Sequence, residues 1–246
     1  MDFKPGQYIH LSIPPHYTRF SEFDIDKKFY TLWQKQGLFK SWANSEIYSK
    51  RNYSLASNPD NETKLRFNVR IALSPDVTKT SAGTGSSFVF NLKKGEEVEL
   101  SGPFGDFLIK DTEREMVYLG GGAGMAPIRS HLSNLFETRL TKRKVSYWYG
   151  ARSLNDLFYL DYFKEMEKSN PNFIFKYALS DPQKEDKWNG YAGFIHQYLF
   201  DDYLSKHPFP HEIEYYLCGP PAMIKASFKM LQMLDVPDEQ ISFDEF

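Results

Sequence analysis

The sequence predicts two domains of different class in one chain: an antiparallel β domain over residues 1–113, then a doubly wound parallel α/β domain over residues 114–246. Three observations carry this. Apolar and polar residues alternate with period two up to about residue 114, short apolar runs alternate with helix-length segments from Met116 onward, and glycine-rich turns close the apolar runs. The length of 246 residues, with 41% hydrophobic and 25% charged composition, fits one large or two ordinary globular domains and excludes a disordered chain.

In the first half, residues 7–13, 65–71 and 96–100 alternate and predict strands. Turn residues punctuate them at Pro14-Pro15, at residues 58–61 and 83–85, and at Lys94-Gly95 and Gly102-Pro103, which predicts a small barrel or sandwich. Residues 16–50 fit neither pattern. They carry Trp33 and Trp42 with a local charge of +2, and they far exceed the ~2 to 5 residues of a hairpin loop. They read either as a self-packed surface loop or as a docking surface for a partner.

In the second half, residues 116–119, 145–149, 173–179 and 213–217 are apolar runs, with candidate helices near 126–140, 156–168, 194–204 and 221–234. Parallel strands need long crossovers, so this alternation predicts a parallel sheet. The change of pattern places the boundary near residues 111–115, where charge interrupts both.

Composition excludes several functions. A net charge of -2 supplies no field for nucleic acid, so no nucleic-acid partner is predicted. The single cysteine, Cys218, cannot form an internal disulfide or ligate an iron-sulfur cluster, and no metal site is predicted. No run of 18 apolar residues exists, which predicts a soluble piece.

The strongest local motif is Gly120-Gly121-Gly122-Ala123-Gly124-Met125-Ala126-Pro127, closing one apolar run and opening a helix. Glycines permit close backbone approach, and the helix start offers free N–H groups to a diphosphate. The lysine of an ATPase phosphate loop is missing. A second glycine-rich turn, residues 83–87, is a weaker candidate for a diphosphate held in a backbone nest. Near it in function stands Arg51-Asn52-Tyr53-Ser54, whose spacing puts Arg51 and Tyr53 on one face of a strand, a cation for phosphate and a ring for a planar heterocycle. The third cluster, Cys218-Gly219-Pro220-Pro221-Ala222-Met223, follows an apolar run at the edge where open α/β sheets bind ligands. Cys218 as a hydrolase nucleophile would require His131 or His196 to be brought beside it.

These motifs occur in the order found in the ferredoxin-NADP reductase superfamily, and the resemblance spans almost the whole chain. It is closest to the flavin and NADH module of the F subunit of the sodium-translocating NADH:quinone oxidoreductase. Residues 102–105, 120–127, 148–153 and 178–182, and the aromatic insertion before Arg51, are similar to that protein. The resemblance implies a FAD-binding β-barrel followed by a nicotinamide-binding α/β domain, with hydride passing from NADH to FAD. It implies that Arg51 holds the FAD diphosphate, Tyr53 stacks on the ring system, Ser54 bonds at its reacting edge, and Gly85, Ser86 and Ser87 complete the cradle. Asn68, Val69 and Arg70 would line the adenosine side. Phe246 would cover the other flavin face, Cys218 would sit beside the transferred hydride, and Asp244 or Glu245 would supply a nearby carboxylate.

For NADH the resemblance implies contacts from Gly122, Ala123, Gly124, Met125, Arg152, Asp181, Cys218, Gly219, Pro220 and Met223. NADP-using members carry Ser-Arg where this chain has Ser180-Asp181, and a carboxylate there repels a 2'-phosphate and accepts from a ribose hydroxyl, so NADH is the expected donor. The family also carries an N-terminal membrane helix and a ferredoxin-like domain with a 2Fe-2S cluster. Neither is visible here, so this sequence reads as a soluble excised module of a parent anchored at the cytoplasmic face of the bacterial inner membrane. Implied partners are NADH, that ferredoxin-like domain and the other members of the membrane complex, with insertion 16–50 as the expected contact. The alternatives are the reductase component of an aromatic-ring oxygenase and a dinucleotide-binding module without turnover. Replacing Ser54 by Ala is expected to slow flavin reduction by NADH while FAD stays bound. Unchanged stopped-flow reduction would remove Ser54 from that role.

Overall fold

The computed structural model describes residues 1–76 and 79–245. The chain forms two compact units, each assembled from discontinuous segments. One comprises residues 1–7, 54–67 and 105–246; the other comprises 8–53 and 68–104.

The smaller unit is built on antiparallel sheet. Strands β1 (Tyr8–Ile13), β4 (Ser49–Ser54) and β5 (Leu100–Phe104) form a sheet in the order β4-β1-β5, with β1 and β5 antiparallel. Strands β2 (His16–Arg19) and β3 (Trp42–Ser45) form a two-stranded antiparallel ribbon. In β1 the alternation is realised, with Ile9, Leu11 and Ile13 buried on one face. Two expected strands differ. Residues 65–71 form no strand, because the chain passes from one unit to the other at Phe67 and Asn68 and no single partner strand accompanies it. Strand β5 begins only at Leu100 and runs through Gly102-Pro103, which the sequence marks as a turn.

The insertion carries its own small core. Helix α1 (Lys27–Lys35), capped by the Asp26 carboxylate accepting from Lys28 N at 3.1 Å, turns Trp33 inward against Phe20, Phe23, Leu38 and Ala43. Trp33 is therefore a core residue, and the expectation of an exposed docking aromatic is corrected at that position. Tyr17, Tyr30, Ile47 and Tyr48 are the large apolar side chains that this segment leaves exposed.

The larger unit contains a six-stranded parallel sheet in the order β11-β10-β6-β7-β8-β9. Its strands are β6 (Met116–Gly121), β7 (Val145–Ala151), β8 (Phe173–Leu179), β9 (Tyr191–Ala192), β10 (Glu214–Gly219) and β11 (Ile241–Glu245). Every residue of β6 and β10 is buried, as a strand covered on both faces requires. Helices α3 (Met125–Ser133) and α4 (Leu160–Ser169) cover one face, meeting Tyr118, Tyr147, Tyr216 and Cys218. Helices α5 (Ile195–Asp202) and α6 (Pro221–Gln232) cover the other, meeting Val117, Trp148, Tyr215 and Leu217. These elements match the sequence expectation closely; the short edge strands β9 and β11 were not anticipated. No helix among the described residues is long and apolar enough to cross a membrane.

At the amino edge of this sheet a buried ion pair joins Arg143 Nη2 to Glu214 Oε2 at 2.7 Å. Thr112 donates to Glu214 Oε1 at 2.6 Å and Tyr216 to Oε2 at 3.0 Å, so the carboxylate's remaining acceptor sites are filled. The phenol oxygen of Tyr216 in turn accepts from Lys110 N, which ties the entering segment to the strand.

On α3, the imidazole of His131 is fully buried, stacked on Phe107 at 5.0 Å, with Nε2 donating to Phe107 O at 2.9 Å. Burial lowers its pKa from 6.5 to about 4. The unfolded chain takes up a proton near pH 6.5 while the folded chain resists until about pH 4, so the stability due to the neutral ring is complete above pH 6.5 and is lost as pH falls toward 4. The expected loss over that window is about 3 kcal/mol. Denaturant titrations at pH 7 and pH 4.5 should show it, with a smaller drop in His131→Gln; an equal drop in the variant would assign it elsewhere.

Candidate functional site

In the larger unit the chain starts the sheet at β6, adds β7 and β8 on one side, and returns to add β10 on the other. The carboxyl ends of β6 and β10 are thus the point where strand order reverses, the place where an open α/β sheet leaves a crevice for ligands. Both glycine clusters sit there. Gly120 and Gly121 end β6, a short 3-10 turn over Gly122–Gly124 leads into α3, and Cys218-Gly219 ends β10 ahead of α6.

The glycines do different work. A Cβ on Gly124 would lie 2.3 Å from the carbonyl oxygen of Cys218 and 2.8 Å from Gly219 N, so the start of α3 packs directly on the backbone of β10. A Cβ on Gly219 would meet Met223 Cε at 2.5 Å, and one on Gly121 would meet Met223 Sδ at 2.7 Å. Gly122, by contrast, has φ of 55° with nothing within 4 Å of a Cβ position. Gly122, Ala123, Pro220 and Met223 form the accessible or half-buried rim, while Gly124, Met125, Cys218 and Gly219 are buried beneath. Helix α3 has no side-chain cap, so its first N–H groups are free for an acceptor.

Cys218 is buried on the α3 face of the sheet, in register with Asp244 on β11. Burial, then the Asp244 charge, pushes the thiol well above its ordinary range, so it is protonated at neutral pH. Burial also raises the Asp244 carboxyl, with the charges of Asp106 and Glu245 acting in the same direction. His131 is committed to Phe107, and His196 lies on α5, which covers the opposite face of the sheet. Neither histidine activates the thiol, and the hydrolase reading is set aside.

In the smaller unit, residues 83–87 form no nest. Gly83 caps helix α2 (Thr84–Asn91), whose first amides are again free of any side-chain cap. A Cβ on Gly85 would lie 2.7 Å from Arg51 Cγ and 3.3 Å from the Tyr53 hydroxyl, so Arg51, Tyr53 and the α2 start form one cradle. The Arg51 guanidinium is exposed and donates to its neighbour Lys50 O at 2.9 Å. Burial raises the Tyr53 phenol, partly offset by Arg51. Ser86 Oγ is committed within the fold, accepting from Ala72 N at 2.9 Å and donating to Gly83 O at 3.2 Å, and Ser87 is fully buried. Asn68 and Val69 are half-buried and Arg70 exposed, on the segment leading toward Ala72. Ser54, half-buried, is the first residue of the chain's return to the larger unit.

Comparison with known proteins shows what this arrangement is similar to. Residues 118–229 match the oxidoreductase NAD-binding domain family. The whole chain is 45% identical to the F subunit of the Na(+)-translocating NADH-quinone reductase of Pseudomonas aeruginosa strain UCBPP-PA14, and spans 60% of that relative's length. The crystal structure of Amycolatopsis cytochrome P450 reductase GcoB aligns over 100% of this chain and 62% of its own, at 27% identity and a TM-score of 0.73. The chain belongs to the ferredoxin-NADP reductase superfamily. In fold it is also similar to the flavohem-like FAD/NAD binding domain of a Vibrio cholerae nitric oxide dioxygenase, with a TM-score of 0.73 at 23% identity over 100% of this chain and 86% of that one.

Within the superfamily fold, Arg152 and Asp181 follow the carboxyl ends of β7 and β8 and pair with each other, Nη2 to Oδ2 at 3.3 Å, both exposed. Phe246 lies outside the described residues. One residue the sequence motifs do not reveal is Tyr149, whose hydroxyl donates to Gly122 O at 3.1 Å and so braces the glycine loop from β7. Its only sequence signal is its place at the end of an aromatic run, which core packing explains equally well. Replacing Gly124 by Ala forces a methyl onto the Cys218 carbonyl, where neither backbone can yield. It should cost ~1 to 3 kcal/mol of stability and weaken nucleotide binding. Thermal unfolding and equilibrium NADH binding check this; a variant equal to the parent in both would refute the packing argument.

Proposed function

We propose that this chain is an NADH-dependent flavoprotein reductase module, binding FAD at the Arg51, Tyr53 and α2 cradle and NADH at the β6 and β10 crevice. The observation that carries the reading is the pair of uncapped helix starts, each preceded by glycine and each placed to take a diphosphate. The cradle also suits FAD chemically, since an exposed guanidinium stands beside free helix amides and Gly85 leaves room a side chain would fill. In this reading residues 1–113 are the flavin part and 114–246 the nicotinamide part, although compactness divides the chain differently.

FAD, when bound, accepts a hydride as two electrons and can release them singly. The chain's own residues supply binding and orientation. Arg51 and the α2 amides hold one diphosphate, the α3 amides hold the other, and Tyr53 presents its ring to the flavin. Ser54 donates at the reacting edge of the flavin. Cys218, kept protonated by burial, is a neutral neighbour for the transferred hydride. Residues Asn68, Val69 and Arg70 line the adenosine, Asp244 and Phe246 complete the site, and Met223 and Pro220 border the nicotinamide. Similarity to the Na(+)-translocating NADH-quinone reductase supports NADH as donor and, for the full-length parent, a 2Fe-2S acceptor domain, partner proteins of the complex and quinone reduction coupled to sodium transport at the cytoplasmic face of the membrane.

Asp181 holds Arg152 in an ion pair, so the nearest guanidinium is already engaged and a 2'-phosphate meets a carboxylate. Anaerobic titration should bleach the flavin with NADH, with kcat/KM for NADH above that for NADPH by on the order of tenfold or more. Asp181→Asn should narrow that ratio by releasing Arg152. A preference for NADPH in the parent protein, or an unchanged ratio in the variant, contradicts the assignment, and a colourless protein that fails to take up FAD contradicts the flavoprotein reading.

A further inference from the structure

We propose that Arg129, on α3, is a positioning residue that sets where Ser54 stands relative to the nucleotide-binding start of that helix. The proposal rests on the reading of Ser54 and α3 given above. Arg129 is 6% exposed, and its guanidinium donates to the carbonyl of Ala56 and, at 2.9 Å, to Glu62 Oε1. Its neighbour Ser130 donates to Ser57 O at 2.5 Å. Two successive residues of α3 thus hold two successive buried carbonyls, beginning two residues after Ser54. Ala56 and Ser57 are wholly buried, so water cannot replace either donor.

The segment being held is stiff in itself. Ala56 N donates to Arg66 O at 2.9 Å, Ser57 Oγ donates to Lys64 O at 2.9 Å and accepts from Arg66 N at 2.6 Å, and Leu55 N donates to Gln7 O at 2.9 Å. Arg66 and Arg129 share the Glu62 carboxylate. Partial burial pushes that group up, but bonds from the two arginines outweigh burial and hold it below its ordinary value. The Arg129 guanidinium is itself fixed by two rings, Tyr159 and Tyr162, each 5.0 Å from its centre. Tyr159 adopts φ of 54°, a left-handed conformation unusual for a tyrosine, at the start of α4. Farther along, Asn134 donates to Asp60 Oδ2 at 2.6 Å and Asn61 to Glu137 Oε2 at 2.9 Å. The segment from Ser54 to Phe67 therefore moves with α3. Arg129 sits one turn from Met125, so the helix start and the backbone beside Ser54 share one rigid reference.

Hydride transfer depends steeply on separation and angle, so loosening this clamp should slow the chemical step more than it weakens binding. The test compares Arg129→Met, Arg129→Lys, Glu62→Gln and, as a control in the same segment but far from Ser54, Asn61→Ala. In the FAD-loaded protein, Arg129→Met should lower the limiting rate of flavin reduction by on the order of 10- to 100-fold, with FAD still stoichiometric and the NADH dissociation constant changed by no more than about threefold. Arg129→Lys should recover part of the rate, Glu62→Gln should lose less, and Asn61→Ala should lower the melting temperature while sparing the rate. In the FAD-free protein, hydrogen exchange at the amides of Leu55–Asn58 should rise in Arg129→Met. A limiting rate like the parent's in folded Arg129→Met and Arg129→Lys, or unaltered exchange, overturns the proposal, as does equal rate loss in Asn61→Ala. Should the parent itself not be reduced by NADH, the functional reading fails, and the exchange measurement still decides whether Arg129 is the clamp.

Discussion

The backbone of Gly124 rests against the carbonyl of Cys218, and the larger unit's chemistry depends on that contact. Strands β6 and β10 are neighbours that the chain reaches at opposite ends of its course, so their carboxyl ends meet only if the loop leaving β6 can lie flat on the end of β10. Any side chain at Gly124 would lift the start of α3 away from the sheet. With glycine there, the free amides of α3 open onto the crevice of the strand reversal, and the rim of Gly122, Ala123 and Pro220 is left for a ligand.

The two edges of the sheet are managed in opposite ways. At the amino edge the charges of Arg143 and Glu214 are buried, paired and supplied with further hydrogen bonds, so the elements entering the sheet have one arrangement. At the carboxyl edge the groups are small, neutral or protonated: glycine backbone, proline and the thiol of Cys218. A site whose work is to orient two cofactors has no use there for a strong acid or base, and the placement of Cys218 agrees with that economy. The charged pair nearest the edge, Arg152 with Asp181, stays in solvent, where it can discriminate between phosphate and hydroxyl.

The parallel sheet could be read from the sequence because strands buried on both faces must be continuously apolar, and the crossovers must be long enough for helices. Met116, Val145, Phe173 and Glu214 begin strands close to the expected positions. The β half was harder. Residues 65–71 alternate as a strand would yet leave one unit for the other, and residues 84–91 look like a turn followed by an apolar strand yet form a helix. Period two records which side chains are covered and says nothing about whether a partner backbone is present. Trp33 shows the same limit, since an aromatic insertion reads alike whether its rings face a partner or one another.

The sequence by itself determined the fold class, the order of the motifs and the residue types available at each, since periodicity and glycine placement are local consequences of covalent geometry. Tertiary structure alone decided which glycines serve packing and which face open space, that Ser86 Oγ is already committed, that Arg152 is paired with Asp181, and that Arg129 holds the chain beside Ser54. Those facts depend on atoms brought together from distant positions in the chain. No pattern of neighbours along the sequence encodes the distance between them.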